Sequence, residues 1–180
     1  MRKSLTVVLS GAASPFFIVI VAVLLRLLPH PPNVAPIAAM ALFGGAYLNK
    51  KYALVLPLAA MLVSDLFLGF HSTMAYVYGS FLVTGLAGLW LSRHRTIFNI
   101  IALTFTSSIL FFLVTNFGVW ASGGLYPKTF DGLMTSYVMG LPFFRNTLVG
   151  NFFYVGALFG GYEFLRAMSR RSVFRTVVST

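Results

Sequence analysis

Six apolar runs, broken by connections that hold most of the charge, constrain this chain more than any other feature. The runs cover 5–28, 35–48, 52–70, 74–91, 97–121 and 143–167. A helix that crosses the hydrocarbon core of a bilayer needs about 20 predominantly apolar residues, with a range of roughly 17 to 25. The second run is short by that measure and the others reach it. Within lipid every backbone amide must find its partner inside the spanning structure, which leaves helices and closed β-barrels. Barrel strands alternate apolar and polar residues, and these runs do not. The predicted fold is all-α: one polytopic membrane domain over residues 1–180 with six transmembrane helices.

Lipid is the solvent that the composition fits. Hydrophobic residues make up 58% of the chain and charged residues 9%, against about 25% charged in a soluble domain. The 180 residues leave no room for a separate soluble catalytic domain. The absence of cysteine excludes disulfides, thiolate catalysis and cysteine metal sites. Arg2 and Lys3 ahead of an apolar run resemble a signal peptide. That run is long for one, and Pro29-His30-Pro31-Pro32 follows it in place of a small-residue cleavage site. It is expected to be a retained first span.

The net charge of +10 reads as a topology signal, because the basic residues sit at the ends of the runs. No nucleic-acid partner is expected. With six crossings, ten of the 13 basic residues fall on one side: Arg2, Lys3, Lys50, Lys51, Arg93, Arg95, Arg166, Arg170, Arg171 and Arg175. Arg26, Lys128 and Arg145 fall on the other. Positive charge favours the cytoplasmic side, so both termini are expected inside. Of the outer connections, the longest runs from Ser122 to Pro142. Within it Phe130, Leu133, Met134, Tyr137, Val138 and Leu141 recur at helical spacing. This predicts a short amphipathic helix lying on the outer surface, as an interfacial anchor or as a lid over a cavity.

Polar groups inside membrane helices are costly, so each needs a partner or a use. Asp65 sits near the outer end of the third span and could pair with Arg26 or Arg145, or could orient a ligand. Asn116 and Trp120 are four apart on the fifth span and share a face. They fit either an interhelical bond with an interface aromatic, or an amide reader beside a stacking surface. Arg145 and Asn146 head the sixth span, with Thr147 and Asn151 deeper. Asn33, His71 and Tyr126 lie in the outer connections. His30 and His71 do not have metal-motif spacing, and neither a metal nor a cofactor is expected. Thr104, Ser107 and Ser108 are expected to bond their own helix. Glu163 and Arg166, three apart, should form an ion pair. Polar groups thus gather at the outer ends, which points to a cavity opening outward. Small residues crowd the second span, where Ala41 and Gly45 are four apart, and recur at Gly156 and Gly160. They suit close helix packing in the bundle, or docking to a partner.

Several stretches carry a resemblance. They are His30-Pro31-Pro32-Asn33, the run from Pro36 to Tyr47, Ser64-Asp65 through His71, Thr115-Asn116 through Trp120, Tyr126-Pro127, and Leu141 through Asn146. Together they resemble a family of bacterial membrane proteins of unknown function. That family in turn resembles the substrate-binding S components of energy-coupling factor (ECF) transporters. The resemblance implies a six-helix protein of the bacterial cytoplasmic membrane that binds a vitamin-like micronutrient from outside. It also implies docking on a coupling subunit that bears two ATPases. The chain has no Gly-Lys-Ser/Thr phosphate loop of its own.

The expected function is therefore substrate binding for uptake, without catalysis. The expected site is Asn33, Asp65, His71, Asn116, Trp120, Tyr126, Arg145 and Asn146. Charge would be read by Asp65 or Arg145, polar edges by the asparagines, and a ring by the aromatics. Two alternatives stand beside it. One is an intramembrane enzyme acting on a lipid-type substrate, with Asp65, His71 and His30 as acid–base groups. The other is a structural subunit of a larger membrane complex.

Overall fold

The structure, a computed structural model, describes residues 33–178 together with Ile20, Leu24 and Leu25. Most of the first predicted span, with Arg26 and His30, lies outside the described residues.

Local chemistry sets where the helices begin and end. Helix α1 (Ile37–Tyr47) follows Pro36, whose carbonyl accepts the N–H of Met40 at 2.8 Å. Helix α2 (Lys50–Leu68) carries Pro57 inside it and stops at Gly69. Gly69 takes φ 95° and donates its N–H to the Asp65 carbonyl at 2.8 Å, a left-handed cap that suits glycine alone without strain. Helix α3 spans Met74–Leu91. Helices α4 (Ile97–Ser122) and α5 (Phe130–Val155) each start under a threonine cap. Thr96 Oγ1 accepts the N–H of Asn99 at 3.1 Å, and Thr129 Oγ1 that of Gly132 at 3.2 Å. A π-helical turn over Gly156–Gly160 carries α5 into α6 (Gly161–Val178) without a break.

That continuity corrects the expectation of a separate short amphipathic helix over 130–141. Those residues are the first turns of α5. The predicted boundary rested on Pro142, which lies inside the helix instead of ending it. A proline forfeits one helical hydrogen bond, and membrane helices tolerate the loss where neighbouring groups make it good. The apolar stripe is real but belongs to a wall: Phe130, Val138 and Leu141 face outward, while Gly132, Ser136 and Gly140 are buried.

Three helical stretches are long and apolar enough to cross a membrane, by length and composition: Met74–Leu91, Ile97–Ser122 and Phe130–Ser169. They mark the chain as a membrane protein. The last of them has 40 residues, which at 1.5 Å per residue is about 60 Å, twice a hydrocarbon core. Ile37–Tyr47 and Tyr52–Leu68 are apolar but shorter. At 11 residues, α1 is roughly 17 Å long and does not cross a core of about 30 Å by itself.

Helix α1 is instead the centre of the bundle. All its residues from Ile37 to Ala46 are buried, and α2, α3, α4 and α5 pack around it. Its small residues serve this packing: a methyl placed on Gly45 would lie 2.5 Å from the backbone of Gly88 on α3. Glycine at both positions lets two helix backbones touch. Gly156 and Gly160, by contrast, have open space beside them among the described residues.

The surrounding helices are built with hydroxyls and glycines inward and large apolar side chains outward. Helix α3 buries Ser80, Thr84, Gly85 and Gly88 and exposes Leu82, Val83 and Leu86. Helix α4 buries Thr104, Ser107, Ser108 and Gly118 and exposes Ile101, Phe105 and Leu113. The inward hydroxyls of Thr84, Thr104 and Ser108 each donate to the carbonyl four residues back, at 2.9, 2.7 and 2.8 Å. A buried hydroxyl satisfied by its own helix demands nothing of its neighbours. The pattern suits an apolar surround, where burying more Leu or Phe in the core gains little.

Candidate functional site

Packing around a short central helix leaves one end of the bundle wider than α1 can fill. A cavity of about 510 Å³ lies there, among the connections 69–73 and 123–129 and the segment that leads into α1. That is the end predicted to be outer. From the α1 side it is walled by Asn33, Ala35 and Ala38, and from α2 by Met61. His71 and Thr73 close it at the α2–α3 connection, and Val77 and Phe81 line it from α3. Helix α4 contributes Phe111, Thr115, Asn116 and Val119, and the next connection Leu125 and Tyr126. The far wall is the inward face of α5: Ser136, Met139, Gly140, Phe143, Thr147 and Asn151.

Two chemistries meet in this space. Phe81 and Phe111 stack with ring centroids 5.1 Å apart, which makes an apolar slab on one side. The same lining holds amides and hydroxyls. Asn116 donates Nδ2–H to the Phe112 carbonyl at 2.8 Å, and its amide lies directly on Gly140. The Ser136 hydroxyl crosses from α5 to donate to the Asn116 carbonyl at 2.9 Å. Deeper, Asn151 is 4% exposed and donates Nδ2–H to Ser108 Oγ at 2.8 Å, tying α5 to α4. Among the described lining residues there is no Lys, Arg, Asp or Glu, and the polar groups of the walls are amides, hydroxyls and the His71 imidazole.

Of the eight residues expected to form a site, the structure brings four to this cavity: Asn33, His71, Asn116 and Tyr126. Asn33 reaches it by adopting φ 62°, a left-handed backbone that asparagine tolerates better than most residues. His71 Nδ1 lies 2.8 Å from Thr73 Oγ1. The other four do not line it. Asp65 is buried and accepts the Tyr78 hydroxyl at 2.8 Å, a partner that sequence spacing did not name. Trp120 shares a helix with Asn116, but its indole N–H donates to the Pro127 carbonyl at 2.9 Å. Arg145 is exposed on α5, and Asn146 beside it is half-buried away from the lining.

The predicted lid is replaced by fixed structure. Lys128 donates to the carbonyls of Trp120 and, at 2.9 Å, of Gly123, and so caps the end of α4. Ser122 Oγ donates to the Gly118 carbonyl at 2.7 Å and stands 3.2 Å from the Ser72 carbonyl, which sets this connection beside the one after α2. Gly132 passes so close to the Pro127 carbonyl that a methyl there would lie 2.0 Å from it.

The polar residues that the expected site omitted are Thr73, Thr115, Ser136, Thr147 and Asn151. A signal for the last three was present. Gly132, Ser136, Gly140, Thr147 and Asn151 recur at steps of four and seven, which places them on one face of a helix otherwise rich in large apolar residues. In a membrane helix the small and polar face is the one that turns inward.

A family model described as a family of unknown function (DUF6580) matches residues 10–173. No curated protein matches the chain, and no solved structure does.

Proposed function

We propose a function from the site itself, since the chain belongs to that family of unknown function: it is a membrane-embedded binding component for a small organic solute. The observation that carries this is the cavity of about 510 Å³ at one end of the bundle, walled by residues from α1 to α5. Ligand sites of this kind run from about 300 to 1,000 Å³, with mostly apolar linings and a few fixed polar groups. Amides, hydroxyls and stacked rings suit holding a solute more than transforming one.

By this reading the protein works as S components of ECF transporters do. It takes a vitamin-like micronutrient in the bacterial cytoplasmic membrane and passes it on with an ATP-driven coupling subunit. The cavity end faces outward and both termini lie in the cytoplasm, in keeping with the ten-to-three division of basic residues. The small residues of α1 are used inside the bundle, so the coupling subunit docks elsewhere.

The test is a binding screen on the purified protein in detergent, read by melting temperature, with uptake measured in cells. A solute that raises the melting temperature of the wild type and not of Asn116→Ala supports the reading. No stabilisation by any vitamin-like compound, together with normal uptake in Asn116→Ala cells, ends it. Co-purification with a membrane subunit and ATPases tests the coupling separately.

A further inference from the structure

We propose that the cavity takes a planar ring compound that carries hydrogen-bond donors and no negative charge, an inference that rests on reading this cavity as a ligand site. The hydrogen bonds of its wall carry the argument. A hydroxyl has one proton to give. Thr115 gives its proton to the Phe111 carbonyl at 2.7 Å, Ser136 to the Asn116 carbonyl at 2.9 Å, and Thr147 to the Phe143 carbonyl at 3.0 Å. What remains on all three oxygens is lone pairs.

The two amides are oriented by the same logic. The Phe112 carbonyl can only accept, so Asn116 meets it with Nδ2. Ser108 has given its proton to the Thr104 carbonyl at 2.8 Å, so its oxygen can only accept from Asn151 Nδ2. Each asparagine therefore leaves its Oδ1 as the end not engaged in these bonds. Each amide also keeps a second N–H, which balances its own oxygen. The surplus on the α4 and α5 faces is the three hydroxyl oxygens, and this part of the wall accepts more than it donates.

A complementary ligand supplies N–H or O–H groups. An anion would meet lone pairs on these faces, with no Lys or Arg among the described lining residues to offset the loss of its hydration. The aromatic pair Phe81–Phe111 in the same lining favours a flat ring. At about 30 Å³ for each water-sized group, the cavity of about 510 Å³ holds on the order of 15 non-hydrogen atoms.

A matched series reads this directly: 2-phenylbenzimidazole, its 1-methyl derivative without the N–H, and its 5-carboxylate. Binding is measured by titration calorimetry on the full chain in lipid nanodiscs at neutral pH. The parent compound should bind. Methylation should weaken it about 5- to 10-fold, the loss of one hydrogen bond, and the carboxylate should weaken it by more than about 10-fold. One of the near-isosteric variants Thr147→Val and Thr115→Val, whichever removes the oxygen that takes the single N–H, should weaken the parent about 3- to 10-fold and leave the methylated compound unchanged. Their melting temperatures confirm folding. Equal or tighter binding of the methylated compound or the carboxylate overturns the donor-bearing class, while the cavity reading stands. Binding that survives Asn116→Trp, which fills the cavity, overturns the cavity reading itself. Failure of all three compounds to bind overturns the proposal.

Discussion

The two ends of α1 show opposite solutions to burying polar groups in a membrane protein. At its start the bundle is hollow, and its walls hold amides, hydroxyls, the His71 imidazole and stacked rings. At its finish the bundle is plugged. Tyr47 donates its hydroxyl to Glu163 Oε1 at 2.8 Å, Arg166 lies 3.6 Å from the same carboxylate, and Arg95 sits 4.8 Å over the Tyr47 ring. Phe43, Phe159 and Tyr162 close around that ring, with centroid separations from Tyr47 of 4.8, 5.6 and 4.4 Å. At the plugged end opposite charges are paired, on Glu163 and Arg166 side chains that are about half exposed. At the hollow end the hydroxyls of Thr115, Ser136 and Thr147 have their protons already placed. A polar wall without charge can be desolvated at modest cost, whereas a lone buried ion cannot. The contrast teaches that the cavity is a designed absence of packing at one end, and not a general looseness of the bundle.

The comparison breaks most completely at the seam the two ends share. Gly88→Leu drives a side chain into the backbone of Leu42 and Ala41 on α1. We expect a loss of about 3 kcal/mol or more, seen as a collapse of the melting temperature or of folded yield in detergent, with both ends affected together. Next comes a change confined to the hollow end. Asn151→Leu removes the bond to Ser108 across α4 and α5. It should cost about 1 to 3 kcal/mol of stability and weaken any cavity ligand more than about 10-fold, while the far end keeps its contacts. Calorimetric binding and thermal melting separate the two losses.

Changes at the plugged end should be smaller and should leave the cavity alone. Tyr47→Phe keeps the ring contacts and deletes one partly exposed hydrogen bond, for a loss of about 0.5 to 1 kcal/mol with ligand affinity unchanged. A drop in affinity with Tyr47→Phe would show that the two ends communicate, and would sharpen the comparison into a coupled pair. Arg166→Gln is the smallest. Its partner Glu163 lies one turn away on an exposed surface, so the change should fall within about 0.5 kcal/mol. A larger effect, measured by urea or thermal unfolding, would mean that the cluster carries the fold.

Much of the fold was legible and less of the site. The helix at 74–91 matches its predicted run, and the fifth run matches α4 to within a residue, because composition and charge change abruptly at those borders. The Glu163–Arg166 pair and the self-bonded Thr104 and Ser108 are local, so spacing named them correctly. Asn116 and Trp120 show where local spacing runs out. They share a face, yet one meets the cavity and the other meets Pro127. Trp120 stands at the last turn of α4, where a carbonyl from the next connection competes for its N–H.

Sequence by itself determined the solvent, the all-α class, the order of the apolar runs and the connections in which charge collects. These follow from properties that each residue carries alone: transfer cost, helical period and the sign of a side chain. Tertiary structure decided three things. It put α1 inside the bundle, since an 11-residue helix has no other way to bury its whole circumference. It carried the last helix through Pro142, since a lost hydrogen bond can be made good by neighbours that a sequence does not show. And it chose Asn151 and Thr147 over Asp65 and Arg145 for the cavity wall. Which face of a helix looks at another depends on how the helices roll against each other, and that is settled by contacts such as Gly45 on Gly88 between residues far apart in the chain.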